Sequence, residues 1–372
     1  MTQQDFTSYI AVILKINDDT HIFDAIEYDP KISGSNSQNV SSIAQLDTQA
    51  KLDMKEAAIK RLGTVAPTTE SGWALAHFEY SKSDCRVHVR DFEINSVADV
   101  KIQHSSFEMA VIQNTFPGGL DALKDTLLMV KRIHDAKSQG QQTYPEIGGA
   151  RTFYDKYTTY DQNVLASKQY DMMQGFAETY LYEGTVLDLA CGTGLWGRAL
   201  DEAQQSPLIT GARCCNIVAL KIVFLTKFVL TTALQLDIST EMIKGPSIVQ
   251  TYLQPIVIST IQEFIILNWS YDHITCWGAL HFLDSIDFNA VMSRMFSIAK
   301  KSISFELDEV CEKYRDGFVQ RFNCPCYNNS ELLDQFRIPA GWAKVKDDRL
   351  LLYKSPSIGV DVFARAVYFE KS

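Results

Sequence analysis

The chain has 372 residues, enough for two domains of ordinary size, and its 46% apolar and 22% charged composition is that of a globular protein, not a disordered or fibrous one. Forty-five acidic residues against 35 basic ones leave a net charge of −10. That balance argues against nucleic acid, and against an anionic membrane surface, as the main partner, because both attract a basic field. The cysteines (85, 191, 214, 215, 276, 311, 324 and 326) are scattered, with no disulfide framework, which points to a reducing compartment. The opening residues carry neither the positive nor the apolar region of a signal peptide, so a cytoplasmic location is expected.

Residues 1–136 read as a small α+β domain. Tyr9–Ile16 and Thr20–Tyr28 alternate around a polar Asn17-Asp18-Asp19 turn, as a β-hairpin does. Residues 33–43 form a polar loop, and Lys51–Leu62 has helical character ending at Gly63. A second hairpin, Trp73–Tyr80 and Arg86–Ile94, places His77 and His88 at facing positions; two strand histidines are more often packed than metal-bound. Leu120–His134 is an amphipathic helix, and the polar segment 137–149 reads as a linker. From residue 150 apolar runs alternate with helical segments, the pattern of βα units on a parallel sheet.

The most informative stretch is Thr185-Val186-Leu187-Asp188-Leu189-Ala190-Cys191-Gly192-Thr193-Gly194, followed by the helical Leu195–Leu200. An apolar run ends in an acid, turns through close glycines and opens a helix, so the backbone there can approach a ligand with no Cβ in the way. It is not a phosphate loop, because no Gly-Lys-Ser/Thr follows. The string Leu187–Gly194 resembles motif I of class I S-adenosylmethionine-dependent methyltransferases. Tyr154–Val164 resembles the tyrosine-rich lead-in of small-molecule methyltransferases, especially the Williams–Beuren-type group. Leu236–Ile243 resembles the second strand with its helix start, and Tyr271–Leu283 the fourth strand with its loop.

The resemblance covers residues 150–372. It implies an α/β fold: a Rossmann-like class I methyltransferase sheet with helices on both faces, preceded by the small α+β domain. The implied cofactor is S-adenosyl-L-methionine. Tyr157 belongs to the lead-in. Gly192 and Gly194 would face the methionine part, Asp188 its ammonium, Asp237 both ribose hydroxyls, and Ile238 and Met242 the adenine. Ile261 and Gln262 would sit at the adenine edge, where the family's usual acid is missing, and Cys276 and Trp277 beside the sulfonium.

One segment departs from this pattern. The ribose acid is expected about 20 residues after the glycine turn, yet Asp237 follows Gly194 by 43. Removing residues 212–235, 24 residues in all, restores a spacing of 19 and joins Gly211 to Leu236 as an ordinary second strand. The excess overlaps Asn216–Leu236, of which 14 of 21 residues are apolar. It reads as a gene-model artefact, as an inserted apolar helix, or as a membrane anchor. The energetics of the last are indifferent, with Lys221 and Lys227 at roughly +3 kcal/mol each nearly cancelling the apolar gain. It is disfavoured because the chain would have to leave and re-enter the membrane next to a core strand.

Methyl transfer from a sulfonium is an in-line displacement, so a base is needed only where the acceptor must lose a proton. His281, just after the fourth strand, is the candidate catalytic base; Glu306 and Asp308 are weaker ones. Cys311, Cys324 and Cys326 lack a fourth partner for zinc, so no metal is expected. The last 50 residues resemble the family's ending, which implies a short helix at Asn329–Phe336 and strands at Leu350–Tyr353 and Val360–Phe369 that would close the sheet antiparallel; Tyr327, Trp342 and Tyr353 could line the acceptor pocket that this region caps. The expected partner is a small-molecule methyl acceptor, with a protein partner for the N-terminal domain left open. The alternative is a non-catalytic binding or scaffolding protein with a degenerate methyltransferase domain.

Overall fold

The computed structural model describes residues 6–16, 19–23, 26–28, 53–54, 56–60, 72–81, 86–90, 95–96, 106–140, 148–204, 216–217, 236–237, 241–244, 257–266, 270–355 and 358–372. The chain divides into two compact units, residues 1–134 with 266–268, and residues 135–265 with 269–372.

In the first unit β1 (Phe6–Ile16) is central. It pairs antiparallel with β2 (Asp19–Ile22), with β3 (Ile26–Tyr28), and along its length with β4 (Gly72–Ser81). β5 (Arg86–Val89) and β6 (Asn95–Ser96) pair with β4. The apolar run Tyr9–Leu14 is buried throughout because both faces are covered. Tyr9, Ala11 and Ile13 pack with Met54 and Ala58, whereas Ile10 packs with Val111 of α1 (Ser106–Thr115). The amphipathic helix α2 spans Leu120–Ser138 and takes in the start of the expected linker.

The expected facing histidines are corrected by the register. Ser81 pairs with Arg86, two residues out of step with the expected hairpin, so Glu79 lies opposite His88, and His77 lies opposite Ile10 of β1. Among the described residues no group of three or more His, Cys, Asp or Glu side chains could hold a metal ion.

The second unit is built on a six-stranded sheet. It opens with α3 (Gly148–Asp155), α4 (Tyr160–Leu165) and α5 (Lys168–Thr179). There follow β7 (Thr185–Asp188), α6 (Leu195–Gln204), β8 (Asn216–Ile217), β9 (Leu236–Asp237), β10 (Val257–Ile258), α7 (Ile261–Ile265) and β11 (Tyr271–Cys276). α8 (Ser285–Ile298), β12 (Ala299–Glu309), α9 (Glu312–Phe322), α10 (Ser330–Gln335), β13 (Trp342–Lys354) and β14 (Asp361–Lys371) complete it. The order is β13-β14-β12-β11-β7-β8. β12, β11, β7 and β8 run parallel, and β14 and β13 close the sheet antiparallel.

Neighbouring residues of β14 show that both faces are covered. Tyr368 stacks on Tyr180, just past α5, with ring centroids 3.7 Å apart; Phe369, pointing the other way, meets Phe296 of α8 at 5.0 Å. One face carries a core of α5 and α6 side chains, including Met173, Phe176, Trp196 and Leu200, against Ala364, Ala366 and Tyr368. The architecture is therefore a Rossmann-like α/β sheet with helices on both faces, accompanied in the chain by a separate antiparallel N-terminal sheet.

The region of the 24-residue excess differs from the expected second strand. The strand beside β7 is β8, Asn216–Ile217, which lies inside the excess; Leu236–Asp237 pairs instead with Val257–Ile258 in a separate two-stranded parallel sheet. The remainder of 212–235 lies outside the described residues, as do most of the linker and Gly63. Among the described residues no helix is long and apolar enough to cross a membrane.

Candidate functional site

The glycine turn is tight. Gly194 N–H donates to the Cys191 carbonyl at 2.8 Å, and Gly194 C=O accepts from Arg198 N–H at 3.0 Å, so the turn passes directly into α6. Gly192 and Gly194 have φ of +51° and +90°, in the left-handed region that side chains avoid. The turn is anchored to the sheet by Leu189 N–H donating to Thr275 of β11 at 2.9 Å. Thr193 is hydrogen-bonded to Asp161 of α4, which ties the tyrosine-rich segment to the turn.

The neighbouring parallel strands β7 and β11 end here at the carboxyl edge of the six-stranded sheet, where α/β folds place ligands. A cavity of about 60 Å³ opens there, lined by Leu189, Ala190, Gly192, Met242, Ile261, Gln262 and Trp277 among others. Five of the residues named from sequence (Gly192, Met242, Ile261, Gln262 and Trp277) thus line one cavity. Thr260 and Glu263 set the entry to α7 as a capping box, with Glu263 N–H donating to Thr260 Oγ1 at 3.1 Å and Thr260 N–H to Glu263 Oε2 at 3.4 Å. Gln262 is 1% exposed; its Nε2 donates to Asp287 Oδ2 at 3.1 Å, which turns Oε1 into an acceptor without a partner. Trp277, which lines the same cavity, has a buried Nε1–H donor without a partner.

The other expected cofactor residues are placed differently. Asp188 is buried behind the turn, and its Oδ1 accepts from Ala190 N–H at 3.4 Å. Cys276 is buried at the end of β11, and burial pushes its thiol well up, with Asp188 and Glu306 adding to the shift. It is an inert neighbour of the cavity, not part of its lining. Asp237 is the last residue of β9, beside Ile258, and Ile238 lies outside the described residues.

Tyr157 belongs to a second, larger cavity of about 720 Å³. The two cavities adjoin, sharing Tyr154, Tyr160 and Gly278. The larger is walled by rings from α3, α9 and β13. Phe153 lies 5.1 Å from Phe318 and 4.5 Å from Phe322, Tyr314 stacks on Phe318 at 5.5 Å, and the hydroxyls of Tyr314 and Tyr353 are 3.4 Å apart. Of the expected pocket aromatics only Tyr353 lines it; Trp342 packs on Phe296 and Tyr327 is not in the lining.

His281 sits in the 3₁₀ turn Leu280–Phe282, is 5% exposed and lines the larger cavity. Its Nδ1 is 3.3 Å from Asp308 Oδ2, within ion-pair range but not aligned as a hydrogen bond. Burial holds the imidazole below its ordinary value of 6.5, against the opposing pull of Asp308. Glu306 is 1% exposed and receives two hydrogen bonds from Gln169 Nε2, at 3.0 Å and 2.7 Å. Burial pushes the Glu306 carboxyl well up, and the charge of Asp308 and a hydrogen bond to it push the same way.

Sequence reading passed over Tyr154 and Tyr160, though both stand in the tyrosine-rich segment. It also missed the α9 wall, whose signal was present: Tyr314, Phe318 and Phe322 recur every four residues and form one helical stripe. Gln169 gave no local signal, because its partner is 137 residues away.

No protein-family model matches the chain, and no curated protein matches it in sequence. Among solved structures, a magnesium protoporphyrin IX methyltransferase from Synechocystis PCC 6803 with bound S-adenosylmethionine matches over 62% of this chain and 100% of its own, at 12% identity and a TM-score of 0.38. A possible histamine N-methyltransferase from Thermotoga maritima matches over 59% and 97%, at 14% identity and a TM-score of 0.36. TehB from Haemophilus influenzae matches over 59% and 67%, at 13% and 0.37. Likeness at this level carries no information on activity or substrate.

Proposed function

We propose that the chain is an S-adenosylmethionine-dependent methyltransferase acting on a small molecule. The observation that carries the reading is a pair of adjoining cavities at the carboxyl edge of the sheet, one formed on the glycine turn and the other lined by aromatic rings. The residues suit the cofactor. The positive-φ glycines leave backbone open to it, Gln262 Oε1 is a buried acceptor without a donor, as an adenine amino group requires, and Met242 and Ile261 supply apolar faces.

When bound, S-adenosylmethionine supplies an electrophilic methyl on a sulfonium. The chain contributes orientation and exclusion of water. Gly192 and Gly194 would hold the methionine part, with Asp188 near its ammonium, and Asp237 the ribose. Tyr154, Tyr160 and Gly278 border both cavities, so transfer would occur past them. His281, held neutral by burial, can take a proton from the acceptor, with Asp308 beside its Nδ1. The subgroup assignment, cytoplasmic location and independent N-terminal domain belong to the same proposal.

The non-catalytic reading draws support from one observation, the placement of Asn216–Ile217 beside β7 with Leu236–Asp237 in a separate sheet. Calorimetric titration with S-adenosylmethionine and S-adenosylhomocysteine separates the two, using the full chain and a version lacking residues 212–235. Binding by either version supports the cofactor site. Binding by the shortened chain alone identifies 212–235 as inactivating, and folded chains that bind neither compound refute the proposal.

A further inference from the structure

The lining of the larger cavity includes a buried carboxyl that no lysine or arginine among the described residues pairs with. Glu306 and Asp308 are 1% and 4% exposed, and burial together with the charge of Asp308 pushes the Glu306 carboxyl well up. Among the described residues no lysine or arginine is paired with either carboxyl: His281 Nδ1 lies 3.3 Å from Asp308 with burial holding the imidazole low, and Arg315 acts on Cys326, which Asp308 also faces, without pairing with Asp308. Asp308 lines the cavity, and its Oδ1 is buried without a hydrogen-bond partner. The two lysines in the lining are at the mouth: Lys168 is paired with Asp171 at 3.1 Å, and Lys354 is exposed.

A buried uncompensated charge is costly, and a neutral hydroxyl would satisfy its hydrogen bond while leaving the charge unbalanced. The walls favour the same complement. Tyr157, Tyr160, Tyr314, Tyr353 and Phe318 present π systems to one space, and rings of this kind attract a cation over their faces. An anion would meet both the carboxylate and the ring quadrupoles unfavourably.

We propose that the larger cavity recognises a cationic acceptor, a protonated or quaternary amine on a compact, partly apolar body, with its nitrogen at Asp308 and its body among the rings. This rests on the methyltransferase reading for the word acceptor, whereas recognition of the cation stands on the cavity alone. The cationic nitrogen fixes how the acceptor lies; it does not specify which atom receives the methyl group.

The test uses the full chain, with S-adenosylhomocysteine affinity measured first and amine binding then measured with and without it. Phenethylamine, benzylamine and tetramethylammonium are titrated beside 2-phenylethanol and phenylacetate, the neutral and anionic counterparts of the first. The expected result is binding of at least one cation, more than tenfold tighter than the neutral and anionic compounds. Asp308→Asn should weaken that cation at least tenfold and leave S-adenosylhomocysteine affinity unchanged. Should Asp308→Asn fail to fold, the ranking of the five probes on the unaltered chain decides. Binding of none of the cations, equal binding of 2-phenylethanol, or undiminished binding by folded Asp308→Asn would overturn the proposal. Cation binding without S-adenosylhomocysteine binding would sink the methyltransferase reading and leave this one standing.

Discussion

Replacing Glu306 by glutamine should change how the stability of this protein depends on pH. In the folded chain burial and Asp308 hold the Glu306 carboxyl well above the ordinary 4.5, whereas in the unfolded chain it returns to that value. As pH rises past 4.5 the unfolded chain releases this proton and the folded chain keeps it, so the unfolded state gains and stability falls. The loss runs at about 1.4 kcal/mol per pH unit for one group until the folded carboxyl itself ionises. Between pH 5 and 7 it amounts to at most about 2.7 kcal/mol. Glutamine cannot ionise and retains an oxygen to accept from Gln169 Nε2, so Glu306→Gln removes this component while preserving the shape of the site. Urea denaturation at pH 5, 6 and 7, followed by the fluorescence of the buried Trp196 and Trp277, measures both profiles. The variant should gain on the parent steadily as pH rises. Parallel profiles, or a variant that loses ground with pH, would refute the claim that Glu306 is buried as its protonated form.

Two further predictions concern the turn before β7 and the base. Gly184 has φ +106°, and a Cβ there would collide with the Asp272 carboxylate that accepts from Thr185 N–H at 2.8 Å and from Thr185 Oγ1 at 3.0 Å. Gly184→Ala should cost about 3 kcal/mol, combining left-handed strain with the lost hydrogen bonds; Gly140→Ala, at φ +73° in open space, should cost only about 1 kcal/mol in the same denaturation assay. His281→Gln should lower kcat about 100-fold, read as S-adenosylhomocysteine formed from an accepted amine, with cofactor affinity unchanged. Burial lowers the imidazole, so the acid limb of kcat/KM in the parent should have its midpoint below 6.5 and disappear in the variant. A limb that persists would assign the proton to another group.

The strand–turn–helix at Thr185–Leu200 was legible in the residues because its causes are local. An apolar run, an acid and glycines that tolerate positive φ specify that turn whatever surrounds it. The antiparallel closing strands followed from the resemblance of the chain's last 50 residues to the family's ending, although β13 starts at Trp342, well before the expected Leu350. Strand register was not: the pairing of Ser81 with Arg86 depends on β4 already lying along β1, and it separated His77 from His88. The edge of β7 is a long-range pairing that spacing does not select, and Asn216–Ile217 stands there where spacing pointed to Leu236. The chemistry of the larger cavity arises only in three dimensions. Gln169 and Glu306 are 137 residues apart, and the aromatic wall joins α3 to α9 and β13. A residue's propensity and periodicity act within a few positions of the chain, and from them follow the sheet, its helices and the glycine turn. Burial of a charge, and the partner it is left without, depend on every segment packed around it, and only the tertiary structure brings those segments together.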